Sequence, residues 1–255
     1  MSGPLLSIAN VSKHFGGISA LNHVSFNIEP GQIKGLIGPN GAGKTTLFNL
    51  ITGVYLLSGG TITFENHNLA TYPTYKIARL GITRTFQTVR LFPNLTVLEN
   101  VMTGSHQLLK AGFLASALNL PFMAREEAGC RRRSQELLEF VGLEKYAARP
   151  ADSLVFGQQR LLEIARALAA KPKLLLLDEP AAGLSAPERA ALVRLIKAIR
   201  EMGTTILLVE HDMDVVMKVC ESIVVLEFGS KIAEGGPDAI QNNPQVIAAY
   251  LGEEV

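Results

Sequence analysis

Apolar residues recur at near-alternate positions at the start of the chain, at Leu6, Ile8 and Val11 and again at Val24, Phe26 and Ile28, with Gly16-Gly17 and Pro30-Gly31 as punctuation. That pattern predicts short antiparallel strands with one buried face. A compact apolar strand, Ile33 to Ile37, comes next. It is followed by a glycine-rich turn, a helix from Lys44 to about Thr52 and a further strand region near Thr61 to Phe64. From Pro93 to Ala151 the pattern changes to apolar positions at helical spacing, with charges in patches at Arg125, Glu126, Glu127 and Arg131 to Arg133. No strand signal interrupts it, so a helical insertion is expected. Beyond Leu154 the expected order is helix (Gln158 to Ala170), buried strand (Leu174 to Leu177), helix (Pro187 to Glu201), strand (Thr205 to Val209) and helix (Asp212 to Val219). Short, wholly apolar strands alternating with amphipathic helices predict a parallel sheet covered on both faces. In the helix from Pro187, Leu192, Leu195, Ile196 and Ile199 line one side, and Ser185-Ala186-Pro187-Glu188 forms a capping box at its start. With no internal repeat and no low-complexity linker, the reading is one α/β domain over residues 1–255. It carries an N-terminal antiparallel β subdomain and a helical subdomain inserted over about residues 93–170.

Composition narrows the function classes. The chain has 255 residues, 47% hydrophobic, with 24 Lys+Arg against 23 Asp+Glu and a net charge of +1. It is too apolar and too balanced to be disordered, and it lacks the basic excess of a dedicated nucleic-acid binder, so no nucleic-acid partner is expected. Cys130 and Cys220 form no CxxC pair or disulfide framework, which points to a reducing compartment. The longest uncharged stretch, Thr45 to Phe64, is half Thr, Ser, Asn and Gly and is a poor bilayer span. The N-terminus lacks the basic start and apolar block of a signal peptide. A cytoplasmic protein whose membrane role comes through a partner is the expectation.

The chemistry begins at Gly38-Pro39-Asn40-Gly41-Ala42-Gly43-Lys44-Thr45, which fits GxxxxGK[ST] between a strand and a helix. The glycines allow backbone N–H groups to converge on phosphate oxygens. Lys44 brings a positive charge to the β and γ phosphates, Thr45 offers a hydroxyl to Mg²⁺, and the helix N-terminus adds its partial charge. This is a nucleoside triphosphate site, and the fold class is that of a P-loop NTPase with a RecA-like parallel core. The strand Leu174 to Leu177 ends in Asp178-Glu179. Successive strand side chains point to opposite sides, so the two acids take different roles: Asp178 holds the magnesium and Glu179 polarises the attacking water. His211, in VEHD after another apolar strand, reads either as a helix-cap residue or as the group bridging γ phosphate and water. Its position beside the two site strands favours the second.

P-loop, acids and histidine in this order resemble the ATP-binding subunits of ABC transporters. Leu154-Val155-Phe156-Gly157-Gln158-Gln159-Arg160 lies at the place of that family's LSGGQ signature. The resemblance implies that Val155, Phe156, Gly157 and Gln158 face the ATP of an opposing subunit, so that two sites are completed when two ATPase subunits, alike or different, meet head to tail. It further implies ATP contacts from Phe15, by stacking on adenine, from Gly38 through Thr46, and from Gln87 in TRTFQ. Gln87 would join Thr45 and Asp178 at Mg²⁺, with Glu179, His211 and Lys44 catalytic. Phe15 also reads as a core or hinge aromatic. Gly183-Leu184-Ser185 matches the D-loop. Two departures stand out: the signature serine is Val155 and its first glycine is Phe156, while the D-loop's usual acid is Ser185. One lost charge-assisted hydrogen bond would cost about 1.5–3 kcal/mol if nothing replaced it.

The finer resemblance is to the longer ATPase of branched-chain amino-acid uptake systems. It rests on GPNGAGKTTLFNLITGVY, RLGITRTFQTVRLFPNLTVLENV, FGQQRLLEIARALA, LLLLDEPAAGLSAPE, LLVEHDM and AAYLGEE. It implies permease partners, an indirect link to a substrate-binding protein and a place on the inner face of the membrane. An exporter ATPase of the lipopolysaccharide-export type is the main rival. A non-transport ABC ATPase acting on ribosomes or DNA ends is weaker, because neither a second cassette nor long heptad arms are present. A switch GTPase would need an NKxD string, which the chain lacks.

Overall fold

The computed structural model describes residues 3–105 and 121–251. The chain opens with β1 (Leu6–Phe15) and β2 (Ile18–Ile28), paired antiparallel across the turn at Gly16, where φ is 57°. It then runs through β3 (Ile33–Ile37) into α1 (Lys44–Ile51) and returns to the first sheet as β4 (Gly59–Phe64) and β5 (His67–Asn68). That sheet has the order β2-β1-β4-β5. Next come α2 (Thr74–Leu80) and β6 (Ile82–Arg84), then three helices, α3 (Val97–Gly104), α4 (Pro121–Phe140) and α5 (Phe156–Ala169), which pack on one another. The remainder alternates as β7 (Leu174–Asp178), α6 (Ala186–Glu201), β8 (Thr205–Val209) and α7 (Met213–Val219). The hairpin β9 (Ser222–Glu227) and β10 (Ser230–Gly235) leads to α8 (Pro237–Gln241) and α9 (Pro244–Leu251).

The second sheet has the order β10-β9-β3-β8-β7-β6, parallel throughout except for the β10 edge. Its strands β3, β7 and β8 are buried along their whole length. Strand side chains alternate between faces, and the core divides accordingly. Leu175, Leu177, Ile206, Leu208, Ile223 and Val225 enter a core shared with α3, α5 and α6. Leu174, Leu176, Leu207, Val209, Val224 and Leu226 enter a second core shared with α1 and the N-terminal sheet. The two-sided burial predicted from the apolar runs is therefore achieved by a helical layer on one face and by α1 with an antiparallel sheet on the other.

Most element boundaries agree with the periodicity to within two residues. The signature helix is at that limit: it begins at Phe156, two residues before the expected Gln158, with Val155 as its N-cap. The short edge strand β6 and the β9–β10 hairpin are additions to the sequence reading. A three-residue strand is too short to show a period, and β6 is recognisable only by its pairing of Ile82, Thr83 and Arg84 with Leu174, Leu175 and Leu176. Part of the expected helical stretch, residues 106–120, and the end of AAYLGEE at residues 252–255 lie outside the described residues. Among the described residues no helix is long and apolar enough to cross a membrane.

Leu176 sits at 0% exposure on the α1 side of β7. Leu176→Ala is expected to cost about 2–5 kcal/mol through lost burial and a residual cavity. The check is the urea midpoint followed by far-UV circular dichroism, and an unchanged midpoint would mean that this face of the sheet is loosely packed.

Candidate nucleotide site

The site forms where the parallel strands end. After β3 the chain turns at Gly38, whose φ of 147° and tight packing leave no room for a side chain: a Cβ would lie 2.0 Å from the Leu226 carbonyl oxygen. Gly43, at φ 101°, is likewise pressed against the Ala20 carbonyl, where a Cβ would come within 2.6 Å. Gly43 is also the N-cap of α1 and has no side chain with which to cap it, and the N-terminal end of α1, with its partial positive charge, faces the loop. Lys44 is buried, and its Nζ donates to the Gly38 carbonyl and, at 2.8 Å, to the Pro39 carbonyl. The loop Pro39 to Gly43 thus curls around an ammonium. Asn40, Gly41 and Thr45 are exposed and Thr46 is half-buried.

Across from the loop, β7 ends in the two acids, and the backbone separates them sharply. Asp178 keeps strand geometry on the α1 side, while Glu179 has a φ of 49° and its N–H donates to the Val209 carbonyl at 2.9 Å. A left-handed conformation at a non-glycine residue costs energy and is retained where the surroundings dictate it. Here it swings the carboxylate off the strand. Glu179 Oε2 accepts from Gln87 Nε2 at 2.8 Å, and Oε1 lies 2.8 Å from His211 Nε2. An ionised carboxylate only accepts, so the imidazole must present its proton from Nε2. Three residues separated by 92 and 32 positions along the chain thus meet at one carboxylate.

Asp178 has a different partner. Arg84 Nη2 lies 2.7 Å from Asp178 Oδ2, and Arg84 Nη1 donates to Asn49 Oδ1 at 2.6 Å. Arg84 was not among the residues the sequence reading selected. The only signal for it was a charge at the end of a strand too short to recognise. A second unforeseen residue is Glu210, buried at 2% exposure beside His211. Its carboxylate accepts the N–H groups of Ala181 at 2.6 Å, His211 at 3.0 Å and Asp212 at 3.3 Å. Burial pushes the Glu210 carboxyl upward, against the pull of those donors. Glu210 therefore pins the backbone of the histidine turn to the segment leading out of the two acids.

The signature positions lie on the helical layer. Val155 and Phe156 are 63% and 46% exposed. Val155 N–H donates to Gln158 Oε1 at 3.3 Å, and valine has no oxygen to return the bond, so α5 starts on half a capping box. At Gly157 a Cβ would meet Glu188 Oε1 at 2.3 Å, and the same Glu188 accepts from Ser185 N at 2.8 Å and Oγ at 2.6 Å. The close approach visible at Gly157 is thus to the cap of α6 within this chain. Ser185 acts as that cap, as the sequence reading expected. One turn along α5, the buried Arg160 donates to the Phe86 carbonyl at 2.7 Å and to the Gln87 carbonyl, while Glu163 accepts Phe86 N–H at 3.2 Å. Burial raises the Glu163 carboxyl, and that hydrogen bond and Arg160 act against the rise. These two side chains hold the backbone that presents Gln87.

Phe15, the candidate adenine platform, stands at the end of β1. It is 42% exposed, with Tyr55 edge-on at 5.2 Å and Lys13 Nζ 4.7 Å from its ring centre. Neither its exposure nor its partners are those of a core phenylalanine.

Comparison with known proteins agrees with this geometry. Residues 21–182 match the family model for ABC transporters, and residues 230–255 match that for the branched-chain amino acid ATP-binding cassette transporter. The chain is 47% identical over 254 residues to the high-affinity branched-chain amino acid transport ATP-binding protein LivG of Escherichia coli K12, covering 99% of this chain and 100% of that protein. Against BraF of Pseudomonas aeruginosa, described in the same terms, identity is 45% with the same coverage. Among solved structures, a nucleotide-free ATP-binding cassette superposes with a TM-score of 0.84 at 33% identity, covering 97% of this chain and 99% of that one. The ADP conformation of the cassette MJ1267 gives 0.85 at 32% identity, covering 98% and 99%. The dimeric cassette MJ0796 gives 0.78 at 28% identity, covering 91% and 98%. With a cradle around Lys44, a carboxylate gathered between glutamine and histidine, and relatives aligned from end to end, the chain belongs to the ATP-binding ATPase subunits of ABC transporters, in the group that contains LivG and BraF.

Proposed function

We propose that this chain binds and hydrolyses ATP with Mg²⁺ in a head-to-tail pair of ATPase subunits, and so drives a membrane importer of branched-chain amino acids. The observation that carries the chemical half is the Glu179 carboxylate held 2.8 Å from both Gln87 Nε2 and His211 Nε2. A carboxylate oriented from two sides is placed to accept a proton from an attacking water, and His211 orients the γ phosphate beside it. Lys44 exchanges the carbonyls of Gly38 and Pro39 for β and γ phosphate oxygens, assisted by the N–H groups of the loop and α1. Thr45, Asp178 and Gln87 offer a hydroxyl, a carboxylate and a carboxamide oxygen. Such hard donors suit Mg²⁺, which takes one or two carboxylates and keeps much of its water, and no cluster of three acidic, histidine or cysteine side chains is needed. Bound there, the ion supplies charge neutralisation for the transferring phosphoryl group. Phe15 stacks on the adenine.

The transport half rests on the relatives. LivG and BraF are branched-chain amino acid transport proteins by name, and the C-terminal match is to that same group. This favours import over an exporter of the lipopolysaccharide type or a non-transport role. A groove of about 490 Å³ runs between α2, β6, α3 and α5, with Val54, Phe86, Arg90, Phe92 and Arg166 among its lining residues. It borders the Gln87 segment, and Val54, Phe86 and Phe92 leave an apolar surface exposed there. A permease segment seated in it would bring the subunit to the inner face of the membrane and couple transport to Gln87. Val155 to Gln158 then close over the ATP of the second ATPase subunit, and a substrate-binding protein acts only through the permeases.

Glu179→Gln is expected to keep ATP binding and lower turnover by about 10²–10⁴. Phosphate release under saturating ATP measures this, and wild-type turnover in the variant would remove Glu179 from the chemistry. Val155→Ser should tighten ATP-dependent dimerisation, read by sedimentation. Because serine also completes the cap of α5, about 0.5–2 kcal/mol of the gain should be visible as stability without ATP. If stability alone rises, the missing hydroxyl has no nucleotide role. For transport, the subunit with its genomically adjacent permeases and binding protein in proteoliposomes should accumulate labelled leucine only with ATP on the subunit's side. Phe92→Asp should abolish accumulation while leaving ATP affinity intact, and failure of the wild-type assembly to accumulate leucine would reject the substrate assignment.

A further inference from the structure

Arg84 is the feature that the proposed chemistry leaves unused. It ends β6 three residues before Gln87, and its side chain is 9% exposed against 4% for its partner Asp178. The guanidinium packs on two rings, 5.3 Å from the centres of both Phe48 and Phe86. Its Nη1 reaches Asn49 of α1 at 2.6 Å and its Nη2 reaches Asp178 Oδ2 at 2.7 Å, while Nε is buried without a hydrogen-bond partner among the described residues. A buried planar guanidinium packed on two rings and bonded to one amide has little freedom to rotate, so its hold on one carboxylate oxygen also sets the orientation of the other. Arg84 also lines the 490 Å³ groove proposed for the permease, as does Phe86, on whose ring it packs.

The geometry points to Arg84 as a positioning residue for the magnesium site: by holding Asp178 Oδ2, it fixes the orientation of the remaining oxygen, the one left to meet the metal. This deepens the reading of Asp178 as the magnesium acid and rests on it. Outer partners that orient a ligating carboxylate matter to metal affinity because a freely turning ligand must be ordered at each binding event. An alternative role follows from the same contact: a buried cation beside a metal ligand could instead compete with the metal. The two roles predict opposite shifts.

The experiment titrates Mg²⁺ against the wild-type chain and its variants holding a fluorescent ATP analogue, with analogue affinity in EDTA and thermal stability recorded alongside. Arg84→Met is expected to raise the half-saturating Mg²⁺ concentration by about 10-fold or more while analogue affinity in EDTA stays within about twofold. Arg84→Lys keeps the charge but cannot reach Asn49 and Asp178 together, so it should fall between Met and wild type and serves if Arg84→Met folds poorly. Asn49→Ala, which leaves both charges in place, should shift the midpoint in the same direction by a smaller factor. In Asp178→Asn the further change Arg84→Met should add nothing. An unchanged midpoint in all the Arg84 and Asn49 variants, with only stability reduced, would make Arg84 structural. A midpoint that falls would make it a competitor. Either outcome overturns the inference. Should Asp178→Asn itself leave Mg²⁺ dependence untouched, the assignment of Asp178 fails instead, and the two failures are thereby distinguished.

Discussion

The parallel strands at the centre of this molecule have no solvated face, and that constraint governs where chemistry can occur. β3, β7 and β8 are buried at every position, one side against helices and the other against α1 and a second sheet. A charge along their length would need its own partner within reach. Lys34 is the one such case in these three strands before their ends, and it reaches Asn27 O at 2.7 Å and Glu234 at 2.6 Å. Otherwise polar side chains gather where the strands stop. Three strands of one direction stopping side by side place the Lys44 loop, the two acids and the histidine turn on one edge, which is where ligands bind in open α/β sheets.

The same constraint explains how much of the site was legible in the sequence. Each apolar run advertises its own end, so Gly38 to Thr45, Asp178-Glu179 and His211 could be picked out as residues following Ile33 to Ile37, Leu174 to Leu177 and Thr205 to Val209. Gln87 carried no such marker. It follows β6, whose three residues show no period, and only the family resemblance singled it out. Arg84 and Glu210 were missed for a different reason. Their importance lies in what they touch, Asp178 at a separation of 94 residues and Ala181 at 29, and a buried ion pair or a carboxylate collecting backbone N–H groups leaves no local pattern. Sequence periodicity reports which residues are buried; it is silent on which buried charges meet.

The signature illustrates how one residue can answer to two demands. Gly157 at that place was expected to open the backbone to a partner's nucleotide. Within the chain it also leaves room for Glu188, which caps α6 through Ser185. A side chain at residue 157 would therefore disturb the D-loop before any second subunit arrived. Val155 departs in the opposite direction: it forgoes the hydroxyl that would cap α5 and leaves an exposed apolar surface beside Phe156. An uncapped helix N-terminus retains its unpaired N–H groups and its partial positive charge, so the anion-facing property of the helix survives the loss of the serine.

These contacts also bear on how the helical layer and the site communicate. Arg160 and Glu163, on the first turns of α5, grip the backbone at Phe86 and Gln87, and Gln87 grips Glu179. The hold of α5 on the segment is made of hydrogen bonds to backbone, which depend on where the segment lies, while the last link, Gln87 to Glu179, runs between side chains. Glu163 is buried with its charge opposed by desolvation, so releasing the segment would strip Arg160 and Glu163 of those backbone partners, leaving Glu163 with Arg160 at 3.4 Å and Arg166 at 3.9 Å. A buried charge that loses a hydrogen-bonding partner costs more than the bond contributed, and α5 and the Gln87 segment are therefore expected to move together. The N-terminal turns of α5 and the carboxylate of Glu179 are thus joined through the Gln87 segment.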